Sequence, residues 1–121
     1  MFLELAHTKL PIYLATSTLV TECYKLTQQF PSEEKFSLIP QIRRASISVH
    51  LNISEGASRK SANERKRYYE IARGSLVEID AALDISEKLN YCNKENLKEL
   101  GTHIVHCFKQ ITGLINSTKT S

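Results

Sequence analysis

The densest run of charge in the chain is Arg65-Lys66-Arg67, with Arg59-Lys60 just ahead of it. A guanidinium presents a planar fork of donors suited to phosphate or carboxylate, and a lysine ammonium adds a compact point charge. Three consecutive helical residues fan over about 200°, so Arg65, Lys66 and Arg67 cannot all be buried. At the start of a helix they add to the positive pole of the dipole, which is an anion-binding arrangement. Tyr68 and Tyr69 follow directly, and a tyrosine beside an arginine can stack on an unpaired base. Packing is the stronger reading for the two rings, because Tyr68 falls on an apolar helical stripe. Arg59, Lys60, Arg65, Lys66 and Arg67 are therefore the candidate nucleic-acid-binding residues. The competing reading is a solvated helix face with internal ion pairs.

The charge around this block is uneven. The chain carries a formal +3, yet residues 41–73 alone hold eight Lys/Arg against three Glu. Residues 1–40 hold three Lys against four Glu, and residues 74–121 hold five Lys against six acids. A localised basic block points to an anionic partner more strongly than scattered charge of the same total.

No catalytic constellation stands out. The four glycines, at 56, 74, 101 and 113, are isolated and cannot form a phosphate-cradling loop. There is no serine nucleophile elbow and no paired Glu-x-x-His of a di-iron bundle. Glu55, Glu78 and Asp80 have no His or Lys base placed with them by spacing, and read as surface or ion-pair acids. His103, His106 and Cys107 are the best metal candidate, with His103 and Cys107 on one helix face. A structural zinc takes four ligands and a catalytic zinc three, and Cys107 reads more simply as a small buried hydrophobe. The expectation is a non-enzymatic protein with no metal and no cofactor.

The elements that must position these residues are helical. The chain has 121 residues, 41% hydrophobic, with only 4 Gly and 3 Pro, a composition that suits a single domain and disfavours a turn-rich β fold. Ile12, Thr16, Leu19, Cys23, Leu26 and Phe30 alternate by four and three, with Pro11 in the first turn and Pro31 as the stop. Leu38, Ile42, Ala45, Val49 and Asn52 or Ile53 form a second stripe, with Ser37 as N-cap and Gly56 as C-terminal stop. Ser61-Ala62-Asn63-Glu64 fits a capping box ahead of Tyr68, Ala72, Ser75, Ile79, Ala82, Ser86 and Leu89. Tyr69, Leu76 and Leu83 flank that stripe, an apolar arc wide enough for more than one neighbour. Gly74 sits inside this helix at a cost of up to ~1 kcal/mol against Ala, which implies close helix–helix contact. Asn93 caps a fourth stripe of Leu97, Leu100, Ile104, Cys107, Ile111 and Leu114, and the tail from Asn116 to Ser121 is polar and frayed. The pattern predicts one all-α domain over residues 1–121, an antiparallel up-down-up-down four-helix bundle, with helices at about 9–29, 38–55, 62–89 and 94–116. Asn52, at a stripe position, must find hydrogen bonds and is expected to fix helix register. Arg43 or Arg44 is expected to pair with an acid of the third helix, such as Glu78.

Three cysteines, at 23, 92 and 107, form no paired spacing and suit a reducing cytoplasm. No apolar run approaches the ~20 residues of a membrane span, and the start Met-Phe-Leu-Glu-Leu-Ala-His does not read as a secretory signal.

Several blocks then resemble a known family. Phe30-Pro31-x-Glu33-Glu34-Lys35-Phe36, Gln41-Ile42-Arg43-Arg44-Ala45, Ser48-Val49, Asn52-Ile53-Ser54-Glu55-Gly56, Arg59, and Ile71-Ala72-x-Gly74-Ser75-Leu76-x-Glu78 are similar to the signature of the four-helix-bundle proteins encoded in 23S ribosomal RNA intervening sequences. The resemblance spans nearly the whole chain. It implies an antiparallel bundle that assembles as a ring, typically a homopentamer, and supplies no catalytic residues. It also links the chain to accessory proteins of diversity-generating retroelements, which work with a reverse transcriptase and nucleic acid. By position, the signature residues are Arg43, Arg44, Asn52, Glu55, Gly56, Arg59, Gly74, Ser75 and Glu78, in folding and assembly roles. Two departures stand out: His50 where the family commonly has proline, and Arg65 where it commonly has phenylalanine. The partners implied are further copies of the chain together with RNA, DNA or a partner protein. The main alternative to nucleic-acid binding is a scaffold that docks a protein such as a reverse transcriptase.

Overall fold

The computed structural model describes residues 2–119, and they form four helices: α1 Pro11–Thr27, α2 Leu38–Ala57, α3 Ala62–Lys88 and α4 Lys94–Ser117. Short 3₁₀ turns precede α1 at Ala6–Lys9 and lie between α1 and α2 at Ser32–Glu34. Side-chain contacts fix the directions. Gln41 reaches Glu78, Ser48 reaches Ser75 and Arg59 reaches Tyr68, so α2 and α3 run antiparallel. Thr16 meets His50 while Thr27 meets Arg43, which makes α1 and α2 antiparallel as well. Glu22 meets His103 across α1 and α4, and Arg73 meets Thr112 across α3 and α4. The expected four-helix bundle is the fold, and no strand occurs among the described residues. The frayed tail expected from Asn116 onward is helical through Ser117, and its last two residues, 120 and 121, lie outside the described range.

The core follows from the stripes. Ile12, Thr16, Leu19, Cys23, Leu26 and Phe30 are all buried, as are Ile42, Ala45, Val49 and Ile53 of α2. On α4 the buried line is Leu100, Ile104, Cys107, Ile111 and Ile115. On α3 the seam is Tyr69, Ala72, Leu76, Ile79, Leu83 and Ser86, rotated slightly from the stripe through Tyr68, Ser75 and Ala82. The larger apolar side chains at 69, 76 and 83 win the interior because burying them removes more area from water.

The helix ends differ in detail from expectation. α1 stops at Thr27 rather than running up to Pro31. The Pro31 ring would meet the carbonyl four residues earlier, which is that of Thr27, and Phe30 N donates to that carbonyl instead at 3.1 Å. Ser37 holds the N-cap position of α2 without a side-chain cap; the Glu34 carboxylate accepts from Leu38 N at 3.2 Å. Ser61 accepts from Glu64 N at 3.3 Å, one half of a capping box. The reciprocal pair forms at α4, where Asn93 accepts from Asn96 N at 2.8 Å and Asn96 accepts from Asn93 N at 2.6 Å. α3 ends on Asn90 at φ 65°. Asn90 N donates to Glu87 O and Tyr91 N to Ser86 O, both at 2.9 Å, the paired bonds that close a helix on a left-handed residue. Tyr91 then packs on Phe30 and donates to Glu34 Oε2 at 2.9 Å, tying the two loops of that end together.

Neither of the two glycines has the role expected of it. A Cβ on Gly56 would lie 2.9 Å from both Tyr68 Cβ and Tyr69 Cε1, whereas one on Gly74 meets nothing within 4 Å. Gly56 is thus a close-approach residue inside α2, without positive φ, rather than the helix stop expected. Gly74 is exposed on α3 and packs against nothing in the chain.

Candidate nucleic-acid interface

The end of the bundle where α2 passes into α3 also holds the start of α1 and the finish of α4. Residues 2–19, 48–75 and 105–119 make up this half, with nine Lys/Arg against four Glu. The opposite half, 20–47 and 76–104, has seven Lys/Arg against nine acids. The antiparallel topology therefore collects a net +5 at one end, a concentration sharper than the formal +3 of the chain.

The five candidate cations divide into two groups. Arg59 and Arg65 are spent on the loop. Arg59 pairs with Glu55 at 2.8 Å one turn back, donates to Tyr68 Oη at 3.1 Å, and lies 5.1 Å from the Tyr68 ring centre. The bond to Glu55 and the Tyr68 hydroxyl raise its already high pKa further. Arg65 donates from one guanidinium nitrogen to Arg59 O at 3.1 Å and Lys60 O at 2.7 Å. Those carbonyls have no helical partner, so Arg65 closes the loop on the first turn of α3. The side chains of Lys60, Lys66 and Arg67 make no hydrogen bond or ion pair with the rest of the described chain. Lys60 and Arg67 are exposed and Lys66 is half-buried. Lys66 and Arg67 line a shallow groove along α3 with Asn63, Glu70 and Ile71.

The tyrosines split as well. Tyr69 is buried, and burial raises its phenol pKa. Tyr68 is the half-buried ring, held under Arg59 and beside Gly56, so the one assigned to the stripe is the more accessible.

The signature residues mostly serve packing. Arg43 does not reach Glu78. Its Nε donates to Thr27 Oγ1 at 2.8 Å, a terminal nitrogen donates to Tyr24 O at 3.3 Å, and the guanidinium covers the Tyr24 ring at 4.5 Å. It therefore closes the C-terminus of α1, where a cation is favoured. Glu78 accepts from Gln41 at 3.4 Å, and Arg44 is exposed with no partner in the described chain. Asn52 donates to Ser48 O at 2.8 Å and Ser48 Oγ at 3.1 Å, and Ser48 Oγ meets Ser75 Oγ at 2.9 Å. Asn52 thus bonds within its own helix, and the contact that crosses to α3 is Ser48 with Ser75, so Asn52 reaches the neighbouring helix only through Ser48.

The histidine and cysteine candidates do not converge. Cys107 is buried, with its thiol pushed up to about 11 by burial and then by Glu22. His106 is exposed, and His103 Nδ1 lies 2.8 Å from Glu22 Oε1 on α1. Cys23 is sealed in the same way, its thiol pushed up to about 12. All three cysteines are free and buried. Arg73, not singled out by its spacing, donates to Thr112 at 3.2 Å and lies over Phe108.

Among the described residues no helix is long and apolar enough to cross a membrane. Residues 8–113 match the sequence model of a family described as 23S rRNA-intervening sequence protein. No curated protein matches the chain.

Proposed function

The chain belongs to the 23S rRNA-intervening sequence protein family, and on that footing we propose that it is a non-enzymatic accessory protein that binds RNA with the basic end of its bundle. One observation carries the reading: Lys60, Lys66 and Arg67 have no internal acceptor at the end where the chain concentrates a net +5. Arg59 and Arg65 act behind them, holding the loop that presents them. Cations without base-reading geometry bind phosphate, so affinity falls steeply with salt and sequence selectivity is weak. Tyr68 offers one accessible ring for stacking.

A homo-oligomer multiplies this patch. Supporting it, α3 carries a second apolar line on its outward side, with Ile71, Gly74, Val77, Ala81, Ile85 and Leu89 all exposed. A second copy covering that line would account for the wide apolar arc, and the ring of five is the assembly the family resemblance implies. Each copy then adds phosphate contacts to one RNA, raising avidity without new chemistry. The same line favours the second reading, a scaffold that docks a partner protein.

The test is fluorescence anisotropy with single-stranded and structured RNA at low and moderate salt. Wild type binds with a steep salt dependence, and Lys60→Glu/Lys66→Glu/Arg67→Glu loses binding while keeping its helical spectrum. Wild type without affinity at low salt overturns the proposal, as does a triple variant that binds unchanged; the scaffold reading then takes its place. Light scattering tests the assembly: wild type is a multimer and Ile85→Glu is a monomer.

A further inference from the structure

Of the four neighbouring helix pairs, α1 and α4 make the least contact. At one edge of their interface polar side chains, Glu22, Lys25, Gln29, Asn96 and Glu99, line a cleft. On α4, Glu99 and His103 are one turn apart and share a face. Glu22 meets them from α1. One ligand atom from each of the three residues lies within 4.8 Å of the others, and His103 Nδ1 stands 2.8 Å from Glu22 Oε1. Glu22 and His103 are half-buried and Glu99 is exposed.

We propose that Glu22, Glu99 and His103 form a binding site for a divalent first-row transition ion, with Zn²⁺ as the type case. Bonds of about 2.0–2.2 Å from zinc to imidazole nitrogen and carboxylate oxygen, at tetrahedral angles, set neighbouring donors roughly 3.3–3.6 Å apart. The Glu22–His103 pair, at 2.8 Å, has to open by about half an ångström to admit the ion, and the third donor closes in by rotation of an exposed Glu99 side chain. The imidazole selects zinc-like ions over magnesium or calcium, while two carboxylates supply the charge a dication needs. The site lies in the half of the bundle where acids outnumber cations, nine to seven, and this field draws in a cation. Three protein ligands leave one position open, and a cleft lined by Lys25, Gln29 and Asn96 adjoins Glu22 and Glu99. A bound ion bridges α1 to α4.

The experiment is calorimetric titration of ZnCl₂ into the full chain after chelator treatment, with Mg²⁺ titrated in parallel. Wild type takes up one Zn²⁺ per chain and shows no matching Mg²⁺ isotherm. Glu99→Gln, which keeps shape at an exposed position, weakens Zn²⁺ binding by at least about tenfold, the smallest loss typical even for groups behind a ligand. His103→Ala abolishes binding, and His106→Ala leaves it unchanged. Zn²⁺ also raises the melting temperature of wild type and not of His103→Ala, since binding to the folded state alone stabilises it. Co²⁺ gives visible absorption in wild type that His103→Ala lacks. Absence of Zn²⁺ uptake by wild type overturns the proposal, as do full affinity in Glu99→Gln and equal loss in His106→Ala. Should His103→Ala fail to fold, Glu99→Gln and His106→Ala still decide the matter.

Discussion

The α2–α3 seam and the α1–α4 seam are built from different materials. Between α2 and α3 the residues are small: Gly56 sits against the Tyr69 ring and the Cβ of Tyr68, and Ser48, Ser75 and Asn52 share one run of hydrogen bonds. This is the most extensive helix contact in the bundle, and α1–α4 is the least extensive of the neighbouring pairs. The α1–α4 seam instead holds a histidine–glutamate pair and open clefts. Small residues let two backbones approach, and close packing tolerates little change. Long polar side chains hold helices apart and leave room for water or an ion. Most of the signature residues fall on or beside the tight seam. Their likeness to the family is therefore a matter of packing, while the groups free to meet a partner lie on the loop that the seam presents and on the loose seam opposite.

The largest break in this contrast is a methyl group at the tight seam. Gly56→Ala puts a Cβ 2.9 Å from Tyr68 Cβ, an atom fixed by its own helix. Overpacking of this kind costs about 1–3 kcal/mol, offset by up to ~1 kcal/mol of helix propensity. The expected result is a lower urea midpoint for Gly56→Ala. An unchanged or raised midpoint would mean that α2 and α3 separate easily, and the two seams would no longer differ in kind.

Next in size is the polar run of the same seam. Ser48→Ala removes the hydroxyl between Ser75 and Asn52. A net hydrogen bond is worth about 1 kcal/mol, and more when a partner is left buried and unpaired. Water reaches these half-buried groups, so a loss of about 1 kcal/mol is expected. The double variant Ser48→Ala/Ser75→Ala should cost less than the sum of the single ones, since each single variant strands the other hydroxyl.

The stripes of α1, α2 and α4 are legible in the sequence because period and size agree: Ile12, Thr16, Leu19 and Cys23 are spaced for one face and are all buried there. On α3 they conflict, and the stripe through Tyr68 and Ser75 loses to the bulkier line through Tyr69 and Leu76. The glycines are less legible. Gly56 and Gly74 are both single glycines among helix formers, and only the crossing of two chain segments tells which one faces a neighbour. The basic block could be read as a block, but not its division. Arg65 turns back because the loop leaves the carbonyls of residues 59 and 60 within reach, and Arg59 because Glu55 and Tyr68 flank it; both depend on loop conformation. Glu99 and His103 have visible helical spacing, but Glu22 joins them only once α1 is paired with α4.

Acidity acts on the contacts of α1 and spares the tight seam. His50 Nδ1 meets Thr16 Oγ1 at 2.8 Å across α1 and α2, and its ring packs on Tyr13. Burial, then the charge of His7, holds its pKa below the ordinary 6.5. The unfolded chain therefore takes up this proton more readily than the folded one. The contribution is fully present above about pH 6.5 and is lost as pH falls below it toward the folded pKa. Wild type should lose urea stability between pH 7.5 and pH 5, and His50→Gln should lose less. Equal losses would place the acid sensitivity elsewhere.

The smallest effect belongs to the loose seam. Glu22→Gln removes the charge partner of His103, a pair in which both groups are partly open to water. Such pairs contribute about 0–1 kcal/mol, so urea stability without added metal should change by less than that. The same substitution should weaken Zn²⁺ uptake, because an amide oxygen is a poorer ligand than a carboxylate. A small stability effect with a large binding effect would mark a seam kept open for a ligand. A large stability effect in metal-free protein would make Glu22–His103 a structural pair, and the two seams would then differ in chemistry but not in purpose.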